Sequence, residues 1–178
     1  VNIIEPIFDV TFHPSSYGYR PKRSQHQAVA KAERFMNKYG LTEVVDMDLS
    51  KCFDTLNHEI IIKVIAKRIS DGRVLKLTEA FLKAGVMKDG ICTETEVGSP
   101  QGGVISPLIS NICLNQFDQK MMVKGIRIVR YADDILIFAK DIETAGNYKA
   151  YAVKILEEEL KLTVNQKKTK LTSVREGV

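Results

Sequence analysis

The stretch Val129-Arg130-Tyr131-Ala132-Asp133-Asp134-Ile135-Leu136-Ile137-Phe138 limits the fold more than any other part of this chain. Two apolar, β-rich runs, Ile126 to Tyr131 and Ile135 to Phe138, flank a tight Ala132-Asp133-Asp134 corner. That pattern predicts a β-hairpin with acidic residues at its tip. Aspartate alone would be ordinary there, because its carboxylate commonly hydrogen-bonds the amides of a turn.

A second acidic run gives the corner a different meaning. Glu43-Val44-Val45-Asp46-Met47-Asp48-Leu49 is also β-rich, and alternation along a strand puts Asp46 and Asp48 on one face. If the two strands share a sheet, Asp48 and Asp133 point at one spot. Carboxylates so close repel, and without a cation at least one is driven toward protonation. Magnesium resolves the conflict, since it takes oxygen ligands from one or two carboxylates plus substrate phosphates. Such a site suits the two-metal chemistry of polymerases and nucleases, with ions about 3.5–4 Å apart.

Tyr131-Ala132-Asp133-Asp134 resembles the catalytic box of reverse transcriptases. Further stretches match in order: Asp48-Leu49-Ser50-Lys51-Cys52-Phe53-Asp54 before it, Gly98-Ser99-Pro100-Gln101-Gly102-Gly103-Val104-Ile105-Ser106-Pro107 between, and Asn165-Gln166-Lys167-Lys168-Thr169 after. These, with the early Ser16-Tyr17-Gly18-Tyr19-Arg20-Pro21-Lys22-Arg23-Ser24, are most similar to the group II intron-encoded, maturase-type branch. Pro100-Gln101-Gly102 speaks against the diversity-generating retroelement branch, which typically departs there.

The resemblance implies an α+β fold, a polymerase palm whose antiparallel sheet is backed by helices, with partial fingers. Residues 1–42 would be fingers and 43–178 palm, with 60–98 a candidate fingers-side insertion. It implies an RNA-directed DNA polymerase acting in group II intron retrohoming, with an RNA template, a DNA primer, dNTPs and intron RNA as partners. Asp48 and Asp133 would bind two Mg2+ ions, joined by the Leu49 carbonyl, and Asp134 would position the ions or the primer end. Phe53, Gln101 and Gly102 would shape the nucleotide pocket, and Arg20, Arg23 and Lys168 would neutralise phosphates. Bland readings stand beside several of these. Phe53 reads equally as core, Arg20 and Arg23 as a Tyr-Arg surface loop, and Lys168 as a solvated lysine. The glycines around Gln101 allow close approach to a ligand, yet no Lys-Ser/Thr pair follows them. Lys161 stands where relatives often carry glycine.

Composition sets bounds. The chain has 178 residues, 44% of them hydrophobic, enough for one core or one domain with part of another. No run spans a bilayer and no signal pattern opens the chain, which begins at Val1. A fragment is therefore expected, without thumb, first fingers blocks or endonuclease module, and inactive by itself. Cys52, Cys92 and Cys113 are odd in number and far apart, so small buried hydrophobes in a reducing cytoplasm, bacterial or organellar, are expected. A net charge of +4 permits nucleic-acid binding without requiring it. Oligomeric state is not readable.

The remaining chain reads as scaffold. A short helical piece within 3–12 is followed by a helix from Gln25 to Tyr39, capped by Ser24, ended by Gly40, with Ala28, Val29, Ala32, Phe35 and Met36 as its apolar stripe. Two amphipathic helices, 59–69 and 73–84, are separated by Asp71-Gly72, with His58 at the first one's capping end. A weak hairpin over 85–97, helices from Ser106 to Met122 and 142–160, and strands at 162–165 and 171–174 complete it. Two other classes of function remain open: a scaffold that binds intron RNA and assists splicing, and a nucleotide cyclase on a similar sheet.

Overall fold

The computed structural model describes residues 1–50, 52–83, 87–88, 91–92 and 105–174, without the side chains at 53, 54, 87, 88, 91 and 92. In chain order the elements are α1 (Glu5–Asp9), α2 (Gln25–Tyr39), β1 (Glu43–Met47), α3 (Cys52–Thr55), α4 (His58–Ala66), α5 (Gly72–Lys83), β2 (Met87–Lys88) and β3 (Ile91–Cys92). Then come α6 (Ser106–Val123), β4 (Arg127–Tyr131), β5 (Asp134–Ala139), α7 (Ile142–Lys154), a π-helical turn (Ile155–Glu159) and β6 (Lys170–Ser173).

β4, β5, β1 and β6 form, in that order, one four-stranded antiparallel sheet. The fold is α+β. Alternation gives the sheet two different faces. Val45, Met47, Ile128, Ile135 and Ile137 share a core with α6 and α7, through residues such as Ile109, Ile112, Phe117, Ala145 and Ala152. Val44, Val129, Leu136 and Phe138 face the other way and meet Ala28, Ala32 and Phe35 of α2. Phe35 packs edge-on against Phe138, ring centroids 5.3 Å apart. Asp46 and Asp48 lie on the same side as Val44, beyond the apolar patch that α2 covers.

Local chemistry explains the best-formed helix. Ser24 and Gln27 close a capping box, each side chain accepting the other's backbone N–H, and Gly40 ends α2 at φ 62. Val29 departs from the expected stripe: it is 52% exposed, so the buried face is narrower. His58 sits buried where Asn57, whose side chain accepts from the Ile60 amide, caps α4. Cys52 and Cys113 are buried free thiols, and burial pushes them up to about 11 and about 12 respectively.

Two more expectations needed correction. The first predicted strand near the end does not form: 162–165 contributes only an isolated bridge, Val164 to Leu49. The helix after the hairpin changes to π-turn geometry at Ile155. Lys161 follows in left-handed backbone, φ 58, which glycine would enter without steric cost.

Candidate active site

The hairpin and β1 bring the acids together. Tyr131 pairs with Asp134 across a corner in which Ala132 takes φ 57. A positive φ at the first central residue is the mark of a type II′ turn, normally a glycine position. β5 then lies directly beside β1, with Asp46 opposite Leu136 and Met47 opposite Ile135. Continuing that register by one residue sets Asp48 across from Asp134, on one face of the sheet. The electrostatics agree: partial burial raises the Asp134 carboxyl above the usual carboxylate range, and the charges of Asp133, Asp46 and Asp48 raise it further.

Asp48 is held from the opposite side by the segment after α7. The Asn165 side-chain amide donates to Asp48 Oδ2 at 3.0 Å, and the Asn165 backbone N–H donates to the Asp48 carbonyl at 2.9 Å. Lys168 Nζ stands 3.8 Å from the same Oδ2. Lys168 is thereby next to Asp48, while Asn165, to which the sequence reading attached no role, fixes the carboxylate. The signal was available, since Asn165 heads the block that carries Lys168. Leu49 buries its side chain, so only its backbone is open to a role at the site.

The donors are all hard oxygens on mutually repelling acids, the chemistry that suits Mg2+. Among the described residues, no three His, Cys, Asp or Glu side chains already stand in metal-holding geometry. Asp48 instead engages Asn165 and Lys168.

Arg20 is not where the resemblance put it. Arg20 turns inward: its Nε donates to Asp9 Oδ1 at 2.7 Å, and its other nitrogens donate to the carbonyls of His13, Ser16 and Asp9. With its side chain 5% exposed, it braces the 9–20 loop and has no fork to offer a phosphate here. Tyr17 is buried against α2. Arg23 lies over that ring, 5.5 Å from its centroid, and is exposed. Gln101, Gly102 and the Phe53 side chain lie outside the described residues.

The sequence also gave no role to Arg130, which is wholly buried on the α6 side of β4. Its Nε donates to both Asp118 oxygens at 3.0 Å and its Nη2 to Oδ2 at 2.7 Å, and Asp118 is wholly buried too. Nη1 donates to Asn111 Oδ1 at 2.8 Å and to the Ala132 carbonyl at 2.7 Å. A cue existed: a charge inside a β-rich run must face a partner once buried, and Asn111 and Asp118, seven residues apart, fall on one face of α6.

The family model described as "Reverse transcriptase (RNA-dependent DNA polymerase)" matches residues 1–177. Among curated proteins, YkfC of Escherichia coli is 34% identical over 98% of this chain and 55% of its own length. The group II intron-encoded protein LtrA of Lactococcus lactis is 37% identical over 66% of this chain and 19% of its own length. Among solved structures, apo telomerase of Candida tropicalis superposes with a TM-score of 0.72 at 12% identity, over 99% of this chain and 36% of that one, a likeness of fold. The chain belongs to the reverse transcriptase family, and its relatives make it of the group II intron, maturase type. It spans about half the length of YkfC and about a fifth of that of LtrA and of the putative COX1/OXI3 intron 2 protein of Saccharomyces cerevisiae. Among the described residues no helix is long and apolar enough to cross a membrane.

Proposed function

We propose that this chain is the catalytic core of an RNA-directed DNA polymerase that extends a DNA primer along an RNA template during group II intron retrohoming. The observation that carries the reading is the β1–β5 pairing, which sets Asp48 beside the Asp133-Asp134 corner. Asp48 and Asp133, with the Leu49 carbonyl, would hold two Mg2+ ions, and Asp134 would position the ions or the primer end. When bound, such ions lower the pKa of a hydroxyl and stabilise charge on a triphosphate and its leaving group. Asn165 keeps the Asp48 carboxylate aimed at the site. Lys168, already beside Asp48, is near enough to accompany the triphosphate once the acids engage cations. Phe53, Gln101 and Gly102 are proposed to shape the nucleotide pocket and exposed Arg23 to meet phosphate.

The test is templated primer extension by the full-length protein carrying Asp133→Asn. The reading expects synthesis to fall by on the order of 10³-fold, the scale of removing one transition-state stabiliser. Synthesis at the parent rate would refute it. A second activity, binding intron RNA to assist splicing, is favoured by relatives named as intron-encoded proteins and as a mitochondrial intron maturase. Intron binding that survives Asp133→Asn would show the two activities to be separable.

A further inference from the structure

The buried cluster of Arg130, Asp118 and Asn111 is an odd thing to find in an apolar core. Arg130 is among the largest fully buried side chains of the described residues, and Asp118 has no exposure at all. Taking two charges out of water is costly, and a buried pair of this kind is often no more stabilising than apolar residues of similar volume. Stability alone therefore does not account for it. What an apolar replacement could not do is hold particular backbone atoms, and this cluster holds three segments.

The first is the catalytic corner. Arg130 Nη1 donates to the carbonyl of Ala132, the residue immediately before Asp133. Ala132 sits at a positive φ of 57, which costs a residue with a Cβ on the order of 1–3 kcal/mol. The second is the loop before α2. Asn111 receives Nη1 on its oxygen and donates its own amide to the Gly18 carbonyl at 2.9 Å. The Arg130 backbone also accepts from the Tyr17 N–H and donates to the Ser15 carbonyl, both at 2.9 Å. The third is α6, which supplies Asp118 and Asn111 and is itself buried along most of its length. Gly18 closes the arrangement: a Cβ there would come within 2.2 Å of the Ala132 nitrogen, so the loop and the corner touch backbone to backbone.

We propose that Arg130, Asp118 and Asn111 are positioning residues that hold Ala132 in its left-handed conformation, so aiming Asp133, and that tie the Tyr17-Gly18 loop to the catalytic corner. This rests on the polymerase reading for its kinetic consequence, but not for its structural one. Asp118 fixes the plane of the guanidinium through a two-point grip that an ammonium could not reproduce. The guanidinium then has one nitrogen left to bridge the corner and Asn111. None of the three touches the reacting atoms.

The test uses the full-length protein with Arg130→Lys, which keeps the positive charge beside Asp118 and loses the fork. Two quantities are followed: turnover against dNTP KM in primer extension, and amide hydrogen exchange across 129–136 compared with α7. The inference expects turnover to fall by about 10–100-fold, the scale of a misplacement near 1 Å, with dNTP KM within about threefold of the parent. It expects exchange at the corner to rise at least about tenfold while α7 is unchanged. The same substitution is then made in an Ala132→Gly background, where glycine adopts the left-handed conformation freely. The loss caused by Arg130→Lys should shrink there. Equal losses in both backgrounds, exchange that rises equally in α7, or turnover and exchange both at parent values would overturn the inference. If Arg130→Lys does not fold, Asn111→Ala, which leaves the ion pair whole, should give the same local rise in exchange, and its absence would overturn it. Loss of corner protection without any templated synthesis by the parent would keep this inference and discard the polymerase reading. Activity lost with Asp133→Asn but untouched by Arg130→Lys would do the reverse.

Discussion

The two backbone corners that carry the acids are held in opposite ways. On the hairpin side, Ala132 is tied down from beneath by a dry ion pair, with Arg130 and Asp118 both fully buried. On the other side, Asp48 is tied by Asn165 and by Lys168, whose side chain is 69% exposed. Water screens the second arrangement and not the first. The contrast teaches which half of the site is fixed and which can adjust. The Asp133-Asp134 corner is set when the chain folds, whereas the grip on Asp48 is weak enough for cations or a substrate phosphate to take over.

That contrast can be broken most severely at its dry end. Asp118→Ala leaves the Arg130 charge buried without its partner, and a loss of about 3–5 kcal/mol in urea unfolding is expected. A loss under about 1 kcal/mol would show that water or a rearranged side chain compensates, and the two corners would then be alike. At the wet end the same experiment should give far less. Asn165→Ala removes one hydrogen bond to a carboxylate, worth about 1–2 kcal/mol at most in stability. Lys168→Ala should cost no more than about 0.5 kcal/mol, since the pair is exposed and its N···O distance is 3.8 Å. The smallest effect has the opposite sign. Lys161→Gly relieves an exposed left-handed residue, φ 58, and should raise stability by about 0.5 kcal/mol once the extra freedom of the unfolded chain is offset. A loss there would mean that the Lys161 side chain makes up for its backbone.

How much of this was legible in the sequence follows the range of the forces involved. Short-range chemistry read well. Ser24 and Gly40 bound α2 where local capping rules put them, and the acidic hairpin spans the residues its alternation predicted. The condition that the strand of Asp46 shares a sheet with the hairpin is met by the β1–β5 pairing. Side-chain partnership across the fold read poorly. Arg20 and Tyr17 sit in a stretch that interleaves aromatic and basic residues, a pattern that serves an interface or a packed loop equally well. Asp9 and the core beneath α2 decided for packing. Arg130 was visible as a charge in an apolar strand, but its partners lie on α6, and spacing does not say which polar residues of a helix will meet a strand. The predicted strand at 162–165 stops at the Leu49–Val164 bridge because the chain turns immediately afterwards, the Asn165 carbonyl accepting from the Lys168 and Thr169 N–H groups.

The central claim, that Asp48 and the hairpin acids form one cation site, is tested most directly by a double-mutant cycle on Mn2+ affinity. Binding to the protein is followed by electron paramagnetic resonance for the parent, Asp48→Asn, Asp133→Asn and the pair. If both carboxylates serve one site, either single change should weaken binding by at least about tenfold. The double change should then add much less than the sum of the two losses, because residues acting on one shared site are coupled. Fully additive losses, or affinity untouched by Asp48→Asn, would place the two acids in separate environments and contradict the account.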